Sequence, residues 1–147
     1  MSPYRVLLAE LLLKRTTATS VARIYESFVS QYPNLKQLSL ASEKDLQTSF
    51  KPVGLYKQRA RSTFALSQYL TASHSGEVPN TLSELLKVPG IGPYSSRAIL
   101  SFGFDDPQAI VDGNVQRIFQ RVFGARILGQ IPVNTCQNIA DQLLPTR

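Results

Sequence analysis

The stretch LLKVPGIGPYSSRAIL, residues Leu85 to Leu100, sets Pro89-Gly90-Ile91-Gly92 between two apolar runs and follows it at once with Pro93. Glycine tolerates positive φ and has no side chain, so a backbone built this way can come very close to a ligand. Pro93 pre-sets the first turn of a second helix, whose N–H groups and dipole then point at whatever occupies the corner. Two readings share these residues. One is an ordinary helix-to-helix turn, since V-P-G-I-G contains only common turn residues. The other is an anion site that grips a phosphate without regard to sequence, through the backbone of Val88, Gly90, Ile91, Gly92, Tyr94 and Ser95.

Composition favours a polyanion as partner. The 147 residues carry 16 Lys and Arg against 10 Asp and Glu, a net charge of +6, and such a surface attracts nucleic acid. The length suits one domain, residues 1–147, with a real core. The single cysteine, Cys136, can build neither an internal disulfide nor a four-cysteine cluster, and reads as a small buried hydrophobe. No apolar run approaches the roughly 20 residues of a membrane span, and the N-terminus lacks a signal-peptide pattern. A soluble, intracellular protein is expected.

Working outward from the hairpin, every periodic segment is helical. Ser2 and Pro3 open a helix to about Lys14 that is apolar almost all round. A second, amphipathic helix runs from Thr19 to Tyr32 and ends at Pro33. Ser42 with Asp45, and Thr81 with Glu84, approximate capping boxes for two short helices. After the turn at Pro52-Val53-Gly54, a longer helix from Tyr56 to about Ser73 turns Ala60, Phe64, Ala65 and Leu66 inward, and a polar loop spans Thr71 to Asn80. Helices over Thr81 to Lys87 and Pro93 to Phe102 flank the corner. Asn114 to Phe123 forms another through Val115, Ile118, Phe119 and Val122, and Asn134 caps a last one to Leu144. No alternating strand pattern is present. The expected fold is all-α, a helical bundle of seven or eight helices with short connections.

Downstream of the corner, AIVDGNVQRIFQRVFG places Asp112 twenty residues past Gly92. Asp112 reads either as a plain N-cap or as a catalytic carboxylate, and both use the same geometry. At a helix N-terminus the dipole and backbone donors keep an aspartate ionised, able to face a developing positive charge.

The string L-x-x-V-P-G-I-G-P-Y-S-S-x-A-I-L followed by V-D-G-N-V-x-R resembles the helix-hairpin-helix (HhH-GPD) DNA glycosylase superfamily, with its endonuclease III, A/G-mismatch adenine and G/T-mismatch thymine branches. Pro3-Tyr4-Arg5-Val6 with Glu10 is similar to the first motif helix of the mismatch glycosylases, and Val53-Gly54-Leu55-Tyr56-x-x-Arg59-Ala60 to their central turn. The likeness covers nearly the whole chain. The family's usual alanine in the second hairpin helix falls at Ser96, which keeps the residue small.

The resemblance implies a DNA N-glycosylase with Asp112, Glu10 and Tyr94 as catalytic residues. Asp112 stabilises the sugar, and Glu10, in a greasy helix where a carboxyl holds its proton, handles the departing base. Glu10 could equally face solvent on a polar stripe. Tyr94 stands where bifunctional relatives carry an imine-forming lysine; a phenol forms no imine, so strand-cutting lyase activity is not expected. It packs against the sugar or flipped base, or serves as a core tyrosine. Arg15 and Leu55 match positions where the family inserts wedges into the base stack, against the plainer readings of a surface arginine and a core leucine. Asn114 joins the DNA-contacting set.

Leu13-Lys14-Arg15-Thr16-Thr17-Ala18 looks more like the thymine or uracil glycosylases, whereas the hairpin and the Asp112 segment also fit the adenine enzymes. The base stays open between thymine or uracil opposite G and adenine opposite G or 8-oxoG, leaning to the first pair. The expected partner is double-stranded DNA bearing a mismatched or damaged base, met by a monomer in the cytoplasm or nucleoid. Relatives usually continue into a four-cysteine [4Fe-4S] loop; here its cysteines would have to lie beyond Arg147, so no cofactor or metal is expected within the chain. The alternative function is a non-catalytic helix-hairpin-helix module that only grips DNA.

Overall fold

Why does one helix end up at the centre? The computed structural model, which describes residues 1–124 and 130–145, gives the answer in α1 (Pro3–Leu13). Ser2 caps it by accepting the Arg5 N–H, and Val6, Leu7, Leu8, Leu11 and Leu12 are buried on more than one side. Burying each of these is worth about 1.5–3 kcal/mol. Against α1 pack α2 (Ala18–Gln31), α5 (Tyr56–His74) and α7 (Pro93–Phe104). The approach of α1 to α7 is close: a Cβ on Gly103 would lie 2.8 Å from Pro3 Cα, so only glycine fits that crossing.

The rest of the main core is completed by α3 (Leu35–Ser39), α4 (Glu43–Phe50), a 3₁₀ turn (Lys51–Val53) and α6 (Leu82–Leu85). A second, smaller apolar cluster forms where α8 (Gly113–Phe123) meets α9 (Val133–Gln142): Val111, Ile131 and Cys136, flanked by Val115, Phe119 and Phe123. Cys136 is fully buried there, its Sγ 4.0 Å from Ile131 O.

The all-α expectation holds. Among the described residues there are nine α-helices and no strand. Several details differ. The short α3 is not expected from periodicity; Asn34 Oδ1 accepts the Gln37 N–H at 2.9 Å to start it, and the buried pair Leu35 and Leu38 holds it. Helix α5 runs on to His74, into the segment expected as loop, and ends where Ser75 turns left-handed at φ 55°. Ala65 on that helix is exposed, not inward, whereas Ala60, Leu66 and the part-buried Phe64 face the core as expected, joined by Thr63, Ser67 and Leu70. On α8, Val115 and Phe119 pack inward as expected, but Ile118 and Val122 are exposed. Asn134 caps nothing: α9 starts two residues earlier than that cap implies, after Pro132, and Asn134 Oδ1 accepts from its neighbour Thr135. No helix among the described residues is long and apolar enough to cross a membrane.

Candidate active site and nucleic-acid interface

The corner between α6 and α7 is a tight backbone turn. Val88 N–H donates to Leu85 O at 3.1 Å, and Ile91 N–H donates to Val88 O at 3.0 Å, with Gly90 left-handed between them at φ 79°. Gly92 is the residue before α7, Pro93 opens the helix, and no side chain caps its first N–H groups. The first-turn N–H groups of Tyr94 and Ser95 therefore have no side-chain cap, the condition under which a helix N-terminus can grip an anion.

The side chains are divided differently from the sequence expectation. Val88 and Ile91 are buried in the main core, so only their backbone can meet a strand. Ser95 is also buried, and its hydroxyl donates to Glu10 Oε2 at 2.8 Å. Its side chain is committed to Glu10 and leaves only the N–H for DNA. Tyr94, in contrast, is 45% exposed at the same corner.

Glu10 is half-buried on α1, facing α7 rather than open solvent. Burial pushes its carboxyl above the ordinary value, opposed by the Ser95 hydrogen bond and the Lys14 charge. Asp112 is the N-cap of α8 and has the opposite bias. Its Oδ1 accepts N–H groups of Val115 at 2.8 Å and Asn114 at 2.9 Å, and its Oδ2 accepts Asn114 Nδ2 at 3.1 Å. The Val115 bond most of all, with those of Asn114 and the charge of Arg117, holds Asp112 below its ordinary value despite some desolvation. Arg117 also donates to Asn114 Oδ1. Asn114 thus clamps the carboxylate instead of reaching outward on its own.

Tyr94 lies within reach of the charges of both carboxyls. Its phenol is raised first by partial burial and then by the charges of both Glu10 and Asp112. Residues from α1, α7 and the start of α8, spread over more than a hundred positions, therefore share one locus beside the hairpin.

Arg15 and Leu55 sit together as well. Both are left-handed non-glycine residues, at φ 54° and 49°, and both line a cavity of about 350 Å³ with Leu11, Lys14, Gln58 and Arg59. Leu55 is 50% exposed, which excludes the core reading. A left-handed leucine at a surface costs about 1–2 kcal/mol, so the fold presents it at a price in strain.

Two residues carry more than their sequence positions suggested. Arg59 is buried and donates to four carbonyls: Gly54 at 3.0 Å, Leu11 at 3.1 Å, Leu12 at 3.0 Å and Lys14 at 2.6 Å. It thereby satisfies the last carbonyls of α1 and fixes the Gly54-Leu55 turn. Lys14 donates to Gly90 O, joining the end of α1 to the hairpin. Burial lowers its ammonium from the ordinary value, with Glu10 pulling the other way. The signal that could have exposed Lys14 was its spacing, one helical turn from Glu10.

A four-thiolate cluster does not fit these residues. Cys136 is the chain's one cysteine and lies inside the smaller core, and no group of three or more His, Cys, Asp and Glu ligands converges among the described residues. The cysteines such a cluster would need beyond Arg147 fall outside the described residues.

The chain is similar in sequence and fold to known proteins. The chain is 35% identical over 124 residues to a thymine-DNA glycosylase of Aeropyrum pernix, covering 84% of this chain and 56% of that protein. It is 32% identical to an adenine DNA glycosylase of Buchnera aphidicola, covering 86% and 36%. Among solved structures, a thermostable thymine-DNA glycosylase superposes with a TM-score of 0.91 at 30% identity, covering 98% of this chain and 67% of that one. An endonuclease III trapped as a covalent intermediate with DNA shares the fold at TM-score 0.87 and 24% identity. The chain spans little more than half the length of the thymine-glycosylase relatives. Residues 8–130 match the family described as HhH-GPD superfamily base excision DNA repair protein, and the chain belongs to that family.

Proposed function

We propose that this chain is the core of a monofunctional DNA N-glycosylase that removes thymine or uracil opposite guanine. The reading rests on one observation above the others: α7 opens at the glycine corner with Tyr94 exposed and with Ser95 donating to Glu10 Oε2 at 2.8 Å, which sets the Glu10 carboxyl beside the hairpin. Glu10, which tends to keep its proton, and Asp112, which is held ionised, are the kind of pair that glycosidic cleavage uses.

In this mechanism the hairpin N–H groups of Gly90, Gly92, Tyr94 and Ser95 hold a strand phosphate. Leu55 and Arg15 fill the gap left as the nucleotide rotates out of the duplex. Glu10, which keeps its proton to higher pH, protonates or hydrogen-bonds the departing base. Asp112 stays ionised, stabilises the positive sugar at C1′ and orients the attacking water. Tyr94 packs against the extruded nucleotide and supplies no amine, so the strand is left uncut. The partner is double-stranded DNA, bound by a monomer. The thymine and thymine/uracil glycosylases among the relatives support the choice of base.

The test is a panel of duplexes bearing G/T, G/U, A/G and A/8-oxoG pairs, scored for abasic product after alkali. Product from G/T or G/U is expected, with no borohydride-trapped adduct. Replacing Asp112 with Asn should slow release about a hundredfold or more while duplex binding persists. Tight binding with no product on any duplex would instead identify a DNA-gripping module, and a trapped adduct would make it a lyase.

A further inference from the structure

Asp112 ends a segment of irregular backbone, residues 105 to 112, and nothing in its own hydrogen bonds fixes that segment to the hairpin. Nearer Asp112 than the Asp106 N–H bond to Leu100 O at 3.1 Å, a polar network on the side of α7 and α9 does so. Arg97, one turn past Tyr94 on α7, is mostly buried and forks onto Asp141 of α9, Nη1 to Oδ1 at 2.8 Å and Nη2 to Oδ2 at 3.2 Å. The same Nη1 reaches Gln108 Oε1 at 3.3 Å, within the segment. From α9, Gln137 donates to Ala109 O at 2.9 Å and to Asp141 Oδ1 at 3.0 Å. Gln108 Nε2 donates in turn to Asp106 Oδ2 at 2.9 Å.

Besides that Asp106 bond to α7, the network holds the segment at two consecutive residues, Gln108 and Ala109, three to four positions before Asp112. One hold comes from the helix that carries Tyr94, the other from α9. We propose that Arg97 and Asp141, with Gln137, are positioning residues that set the distance between Asp112 and the hairpin. This rests on the glycosylase reading given above. A planar guanidinium suits the task, because its fork engages both oxygens of Asp141 and still offers a donor to Gln108. Glycosidic chemistry is sensitive to such placement, since a displacement of about 1 Å can cost about a hundredfold in rate.

The experiment compares the wild type with Arg97→Met, Asp141→Ala and the double variant. It measures single-turnover base release at saturating protein, the Kd for a duplex containing a tetrahydrofuran abasic analogue, and amide exchange at Asn114 and Val115, whose N–H groups report the Asp112 cap. Each single variant is expected to slow release roughly ten- to a hundredfold, with Kd within about threefold. The double should be no slower than the worse single, and exchange at the two amides should rise. Gln137→Ala, which removes only the tie to Ala109 and Asp141, serves if Arg97→Met does not fold, and a smaller slowing of the same kind is expected from it. Unchanged release in all variants overturns the proposal. So does Kd weakening in step with the rate, which would make Arg97 a phosphate contact. If the wild type releases no base from any duplex, the glycosylase reading fails separately, and the exchange at Asn114 and Val115 alone decides whether the network holds the cap.

Discussion

Ser95 donates to Glu10 Oε2 at 2.8 Å across 85 positions of sequence, joining the first turn of α7 to the middle of α1. Desolvation raises the Glu10 carboxyl above its ordinary value, and this bond, with the Lys14 charge, tempers that rise. Removing the bond with Ser95→Ala leaves desolvation less opposed, so the pKa rises further. If Glu10 acts while protonated, the alkaline limb of the single-turnover pH profile should move to higher pH in Ser95→Ala. A limb that stays put or moves to lower pH would remove Glu10 from the role of proton donor.

The same group makes a stability prediction. A carboxyl whose native pKa lies above its unfolded value binds more protons when folded, so stability falls as pH rises through a window opening at about 4.3. Glu10→Gln removes that linkage. Its stability relative to wild type should therefore improve from acid to neutral pH, measured by urea titration at each pH. A difference that does not vary with pH would contradict the buried, proton-holding state.

Leu55 tests whether strain has been kept for function. Leu55→Gly relaxes a left-handed leucine and should stabilise the fold by about 1 kcal/mol, although glycine's extra unfolded-state entropy offsets part of this. Base release should nevertheless fall, because the exposed apolar side chain is gone. Thermal unfolding and single-turnover release on one preparation check both halves.

Arg59 should be intolerant of change. Arg59→Met leaves the carbonyls of Leu11, Leu12, Lys14 and Gly54 without their donor, at about 2–4 kcal/mol. Arg59→Lys should recover only part, since an ammonium cannot span four acceptors. Melting temperatures of the two variants decide it.

Ser96 presents the reverse case. It is fully buried on α7 with its hydroxyl unpaired, so Ser96→Ala should stabilise by about 1 kcal/mol without affecting DNA binding. A loss of stability in denaturant would mean that the hydroxyl has a partner in solution.

By itself the sequence determined what is built from neighbours. The hairpin corner, the Ser42 capping box and the Asp112 cap are closed by hydrogen bonds among residues at most a few positions apart, so residue type and spacing suffice to read them. Even locally it failed where burial outweighed pattern: α3 is five residues long and held by Leu35 and Leu38, and the inward face of α5 was shifted from Ala65 to Thr63 and Ser67. Only the tertiary structure decided which chemical groups meet. Ser95 turned out to serve Glu10, Lys14 to hold Gly90, Arg59 to cap α1, and Arg97 to pair with Asp141 on α9. Those pairings depend on how closely α1 and α7 cross at Gly103 and where α9 docks, and helix packing geometry of that kind leaves no periodic trace in either strand of sequence taken alone.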